Sequence, residues 1–375
     1  MRRWRRRFPR RIPVAVLGWS LLLGACGDRA DRPEPGLAAE STGPLNVRFD
    51  SRVELMSILF HMAGRDEYTM TQVTRWEAAV DSHFGHYAEH PAVAMTERLA
   101  GPYDVGYFVP MNLAVHLTAP PELAKRGPLA ASPSIHRTWT TYPDTTDRYL
   151  ELVRSFARAT RYDDFLASQR ALIDTTEARL RRLVDETVDA AWLDRFWGTE
   201  PGASFALVPG LVNGRASYGV EYQDTAVHEL YAITGVMATD DAGFPVFGAD
   251  FTATVVHEIN HPYVDPLVEA HLDGLGPPAD TLFGRHAETL RRQAIGSGET
   301  LLHESLVRAA VARYRGAHEG GAAMEAEVAE QVELGFEWLP GLVALLGEDE
   351  AARDRWPDLG TFMPRVVAFF EEQVG

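Results

Sequence analysis

The 375-residue sequence has little cysteine, no long apolar run in its N-terminal segment and, beyond its first residues, a shortage of positive charge. Cys26 is the only cysteine, so an intrachain disulfide and a site with several thiolate ligands are both excluded. Histidine and carboxylates remain as metal ligands. The N-terminal apolar run, IPVAVLGWSLLLGA, has about fourteen residues, whereas a membrane-spanning helix needs ~20. A stable transmembrane anchor is therefore not expected.

The first 25 residues predict a targeting segment, because the basic start MRRWRRRFPRR is followed by that apolar run and by small residues. Leu23-Gly24-Ala25-Cys26 resembles a bacterial lipobox, in which the cysteine becomes the lipidated first residue. The resemblance implies a signal peptide over 1–25 and an exported protein anchored to the cell envelope by a lipid on Cys26. Gly27 favours the outer membrane if the cell is Gram-negative. An ordinary secretory signal with a chance cysteine is the alternative.

The charge of the exported chain argues against nucleic acid as a partner. Without residues 1–25 the chain loses seven arginines, which leaves 29 basic against 53 acidic residues and a formal charge of −24. Such a surface repels a phosphate backbone. The expected partners are the membrane, through the lipid, and a peptide or protein substrate.

The composition of the sequence changes twice along the chain. Residues 26–45 are rich in proline and glycine and predict a flexible tether. Residues 46–200 predict a helical N-terminal lobe, beginning with VELMSILFHMAG, which ends on Gly64, and closing with a long helical stretch that ends on Gly198.

Residues 201–375 predict a second lobe of mixed character. Short apolar and β-branched runs begin at Ala203 and predict strands, FTATVVHEINH predicts a helix, and the remainder returns to helices. No internal repeat is visible. The fold class is therefore predicted as α+β, with a mixed sheet and the HEINH helix in the second lobe, followed by a helical C-terminus.

The segment HEINH carries the clearest chemical signal. His257 and His261 are four residues apart and share one face of a helix, so both imidazoles can bind one metal ion. Glu258 can then act as the base that takes a proton from water. This is the H-E-x-x-H pattern of zinc metallopeptidases. The competing interpretation is a hydrogen-bonded trio in the core, but burying it without a metal or partners is costly.

A zinc site needs a third protein ligand, and the sequence offers three candidates. Glu304 shares a helical stripe with Leu301, Val307 and Val311, so its carboxylate is expected to point to the core, and it is favoured. Glu299 and His303 lie on adjacent stripes and remain alternatives. Arg308, one turn after Glu304, can hold that carboxylate or form a plain helical ion pair.

VVHEINHPYVDP, followed some forty residues later by HESLVRA, resembles the gluzincins, the zincins with a glutamate ligand. More narrowly, the chain resembles an uncharacterised bacterial domain-of-unknown-function family of exported proteins. The metzincin continuation is excluded, because Val264 and Leu267 stand where its glycine and histidine belong. The gluzincin resemblance implies zinc on His257, His261 and Glu304, with Glu258 as the base. Pro262 departs from it and is expected to end or kink the helix.

Two further groups of residues are candidates for a functional role. HYAEH, from His86 to His90, fits an inverted H-x-x-E-H pattern, but Gly85 and Pro91 bracket it and favour a solvated helix end. Tyr218, Tyr222 and His303 are candidates for stabilising the transition state. Each is also a common structural residue.

The sequence therefore favours a lipid-anchored zinc metallopeptidase of the cell envelope, with the cleft between its two lobes. The alternative is a catalytically inactive envelope lipoprotein that keeps the zincin fold for binding or scaffolding.

Overall fold

The computed structural model describes six stretches of the chain: 45–101, 103, 105–198, 202–248, 250–293 and 295–375. The predicted signal peptide, Cys26 and the predicted tether up to residue 44 lie outside the described residues. The described chain is mostly helical and contains a small mixed sheet, which confirms the α+β prediction.

Helices dominate the first half of the described chain. Before residue 200 they are α1 (Ser51–Met62), α2 (Asp66–Thr69), α3 (Thr74–Phe84), α4 (Pro91–Ala100), α5 (Phe108–Val115), α6 (Thr138–Thr141), α7 (Pro143–Ala159), α8 (Tyr162–Ser168), α9 (Arg170–Thr187) and α10 (Ala190–Trp197). Helix α1 begins where the Asp50 side chain accepts a hydrogen bond from the Arg52 amide. The predicted glycine stops are confirmed, since Gly64 and Gly198 take φ values of 72° and 69° after α1 and α10.

The main sheet has four strands in the order β1-β2-β4-β3. They are β1 (Asn46–Val47), β2 (Ser204–Gly210), β3 (Tyr218–Gln223) and β4 (His228–Gly235). Strand β2 pairs in parallel with both β1 and β4, while β3 pairs antiparallel with β4. A separate antiparallel pair is formed by β5 (Ala238–Thr239) and β6 (Pro245–Val246).

The sheet separates two hydrophobic clusters, because alternate residues of a strand face opposite sides. Tyr231 and Ile233 of β4 face a first cluster, built mainly from α1 to α8. Leu230 and Ala232 face a second cluster, which holds α10 and the C-terminal helices. Helix α10 thus packs with the C-terminal half although it precedes residue 200.

Six helices complete the described chain. They are α11 (Asp250–Ala270), α12 (Leu272–Arg291), α13 (Gly298–Glu319), α14 (Gly321–Glu333), α15 (Leu339–Ala351) and α16 (Leu359–Glu372). Helix α13 lies at the centre of the group and packs against α11, α12, α14 and α15. No helix within the described residues is long and apolar enough to cross a membrane.

Pro262 does not end the motif helix, so that part of the prediction is wrong. Helix α11 continues through Pro262 and Pro266 to Ala270. Proline removes one helix hydrogen bond, but Tyr263, Val264 and Val268 beyond it are all buried in the second cluster. We infer that this burial offsets the lost hydrogen bonds and keeps the helix intact.

Candidate metal centre

Helix α11 orients the two motif histidines. Val255, Val256 and Ile259 are buried in the second cluster and fix the rotation of the helix. His257 and His261 consequently share one face, with 3.3 Å between their Nε2 atoms. The His261 side chain is 4% exposed and that of His257 is 16% exposed, so His257 is the more accessible of the two.

Helix α13 carries Glu304 to the same point. Its Oε1 lies 3.7 Å from Nε2 of His257 and 3.9 Å from Nε2 of His261, and its side chain is 3% exposed. Within the described part of the chain, these three residues form the one group of possible metal ligands whose atoms all lie within 4.8 Å. Of the three candidates for the third ligand, the structure brings Glu304 to the histidines.

The three ligand atoms fit a metal ion of ordinary size. The three atoms are 3.3, 3.7 and 3.9 Å apart, so the point in their plane that is equidistant from them lies about 2.1 Å from each, within the ~2.0–2.2 Å of zinc to imidazole nitrogen or carboxylate oxygen. Two imidazoles and one carboxylate leave a fourth position open, as in catalytic zinc sites. The donor set is not specific to zinc, because imidazole also suits iron, copper and nickel.

The two carboxylate oxygens of Glu304 have different partners, because Arg308 binds only one of them. Its Nε and Nη2 donate to Oε2 of Glu304 at 3.0 and 2.8 Å, and its side chain is 2% exposed. Burial alone would raise the pKa of Glu304, but Arg308 and the two histidines hold it well below its ordinary value. Glu304 is therefore an anion with Oε1 directed to the histidines.

Glu258 is the other buried carboxylate of the site. Burial raises its pKa to about 8, which His261 opposes and the nearby carboxylates of Glu304 and Asp265 reinforce. Without a cation its carboxyl group keeps its proton at neutral pH. A divalent ion held by the histidines would favour the ionised form, because opposite charge lowers a carboxyl pKa.

Asp265 belongs to the site although sequence reasoning did not single it out. Its Oδ1 lies 2.6 Å from Nδ1 of His303 and 3.4 Å from Nδ1 of His261. Burial opposes its ionisation, but the contacts with the two histidines lower its pKa to about 2. Because a carboxylate only accepts hydrogen bonds, the proton of His261 is placed on Nδ1 and the lone pair of Nε2 faces His257 and Glu304.

His303 is close to the metal candidates but is not one of them. Its Nδ1 is bound to Asp265, and its pKa is raised because that carboxylate outweighs the effect of burial. The signal that would have found Asp265 is its position four residues after His261, on the same helical face.

Tyr218 and Tyr222 are not brought to the site, which removes the basis for assigning them a role in the transition state. Both side chains belong to the first cluster, whereas α11 packs in the second cluster. The Tyr222 hydroxyl donates to Asp224, and its ring contacts Arg126. Alternation along β3 explains the outcome, since residues 218 and 222 face the same side.

The inverted motif does not form a ligand group. His86 is exposed in a short 3₁₀ helix (Gly85–Tyr87). His90 is the N-cap of α4, and its Nδ1 accepts a hydrogen bond from the Ala92 amide. The expectation of a helix end is confirmed for His90.

Comparison with known families agrees with the narrower of the two resemblances. Residues 45–369 match the family described as a domain of unknown function, DUF4932. The chain belongs to this family. No curated protein and no solved structure matches the chain. The family description states no activity, so the argument for function rests on the site.

Proposed function

We propose that this member of the DUF4932 family is a metal-dependent peptidase with a gluzincin-like site, and that zinc is its metal. The observation that carries the proposal is the convergence of His257, His261 and Glu304 from two helices onto one point. Two further features support it. The ligand set leaves one position open, and a carboxylate, Glu258, stands beside the first histidine on the same helix.

Each residue has a defined part in hydrolysis. A zinc ion bound here would polarise the substrate carbonyl and lower the pKa of water towards neutrality. Glu258 accepts the proton of the attacking water and passes it to the leaving amine. His303 is held by Asp265 through Nδ1, and its role in this proposal is to stabilise, through its other nitrogen, the negative charge that develops on the carbonyl oxygen. Arg308 keeps Glu304 ionised.

The substrate is proposed to be a peptide or protein lying beside strand β3. This strand is at the edge of the sheet. Gly219, Glu221 and Gln223 alternate with the buried residues that face the first cluster, so they face the side of the sheet on which α11 packs, and all three are partly exposed. The Gln223 backbone is already bonded to Ser132 and Ser134, so the proposed contact of an extended peptide is with the backbone of Gly219 and Glu221.

We expect about one zinc ion per chain, because the described residues offer one complete set of ligands. The measurement is elemental analysis of protein purified without chelators, paired with an assay of peptide cleavage. Absence of any bound transition metal would refute the peptidase proposal. One bound zinc without cleavage of any peptide would support the inactive scaffold instead.

Localisation is a separate proposal, supported by the sequence LGAC before Gly27. We propose that Cys26 carries a lipid and holds the acidic domain outside the cytoplasm. Replacing Cys26 by serine should move the protein from the membrane fraction to the soluble fraction, because the replacement removes the only thiol. Unchanged fractionation of Cys26→Ser would show that lipid anchoring is wrong.

A further inference from the structure

A chain of buried polar side chains leads from the candidate metal centre to helix α14. It begins at Glu304 and passes through Arg308 to Gln331, whose Oε1 accepts from Nη1 of Arg308 at 2.5 Å. Nε2 of Gln331 then donates to Oε1 of Glu327 at 2.7 Å, and Oε2 of Glu327 accepts from Arg315 at 2.8 Å. Gln331 is thus the link between two ion pairs.

The chain fixes the position of the Arg308 guanidinium. Its Nε and Nη2 are directed to a single oxygen of Glu304, and Nη1 is directed to Gln331. The ring of Phe336 lies 4.3 Å from its Cζ. The guanidinium is therefore held by Glu304 and Gln331 in its plane and by Phe336 on its face, which leaves it little freedom to rotate.

Gln331 has one favourable orientation. Its amide lies between a cation that donates, Arg308, and an anion that accepts, Glu327. The carbonyl oxygen must face the guanidinium and the NH₂ group must face the carboxylate, because the flipped amide would place donor against donor and acceptor against acceptor. The side chain is therefore oriented from both ends.

The consequence concerns how Glu304 can bind a metal. A carboxylate ligand can use one oxygen or both. While Arg308 holds Oε2, Oε1 alone faces the histidines. If Arg308 were free to swing away, Oε2 could rotate towards the metal and fill the position that a substrate needs.

We propose that Gln331 is a positioning residue that restricts Glu304 to one-oxygen ligation by fixing Arg308. The inference rests on the proposed function, because it assumes a metal ion at His257, His261 and Glu304. It adds α14, which carries none of the proposed ligands, to the elements that determine the geometry of the centre.

The test compares Gln331→Met with Gln293→Met in the otherwise intact protein. Gln293 is a matched control, since it is also buried and donates to Leu334 O at the end of α14, but it has no contact with Arg308 among its hydrogen bonds. Both variants lose a buried amide, one that belongs to α14 and one that contacts its end. Gln331→Ser serves as a second variant if the methionine variant does not fold.

The readouts are the visible spectrum of the cobalt(II) protein and the dissociation constant for zinc. Cobalt absorbs more weakly as its coordination number rises, so Gln331→Met should show a weaker visible band than wild type. Its zinc dissociation constant should not rise by the ~10- to 100-fold that loss of a direct partner of a ligand costs, because Gln331 contacts Arg308 and not Glu304, and a second bound oxygen adds a bond to the metal. Gln293→Met should keep the wild-type spectrum and zinc affinity.

Two failures are distinguishable. A wild-type protein that binds neither zinc nor cobalt overturns the proposed function, and this inference with it. A wild-type protein that binds both, while the Gln331 variants match Gln293→Met in the cobalt spectrum, overturns the inference alone.

Discussion

Glu258→Gln is expected to keep its zinc and to lose hydrolysis by about 10²- to 10⁴-fold, the usual contribution of a positioned general base. The amide has nearly the shape of the carboxyl group, so the packing of this buried side chain should survive. It cannot accept the proton of water. The measurement is kcat on a cleavable peptide, with zinc content determined on the same sample.

The control is Glu372→Gln, which makes the same replacement at an exposed position of α16. This variant should match wild type in both measurements. A Glu258→Gln protein with unchanged kcat would show that another group is the base. Loss of zinc from it would show that Glu258 is a ligand and not a base.

The sequence predicted the parts of the site that depend on one helix at a time. The i, i+4 spacing of His257 and His261 specifies a shared face, and the apolar stripe around Glu304 specifies an inward carboxylate. Both follow from the 3.6-residue period of a helix. The structure places the three side chains together, with Glu304 buried.

The contacts that join different helices were beyond the reach of the sequence. The bond between His303 and Asp265 links α13 to α11, and the bond between Arg308 and Gln331 links α13 to α14. No spacing rule relates these residues, because the connection between two helices sets their register. The alternation of side chains along β3 could have excluded Tyr218 from the site only if the side of the strand that faces α11 had been known.

The fold class was predictable from the sequence, but the assignment of helices to the two hydrophobic clusters was less so. Glycine stops at 64 and 198 follow from local backbone preference. The assignment of α10 to the C-terminal cluster does not, because it depends on aromatic side chains such as Trp192 and Trp197 packing with distant helices. Pro262 shows the same limit, since tertiary burial outweighs its local preference.

Loss of the third ligand should have the largest effect on the metal. Glu304→Gln is expected to weaken zinc binding by more than the ~10- to 100-fold that outer-sphere changes cost, because a ligand itself becomes neutral. The amide can still accept from Arg308. The zinc dissociation constant, measured by competition with a chelator, tests this. His86→Ala, an exposed histidine of the rival motif, should leave zinc binding unchanged.

Glu304→Ala alone would mix two effects, because it also breaks the buried ion pair between Glu304 and Arg308, at a cost of about 3–5 kcal/mol of stability. Replacing both residues, as Glu304→Leu with Arg308→Met, removes the buried cation together with the carboxylate. We therefore expect the double variant to recover much of the thermal stability that Glu304→Ala loses, but none of the zinc affinity that it loses. If zinc binding survived in the double variant and disappeared in His86→Ala or His90→Ala, the metal centre would have to lie at the inverted motif.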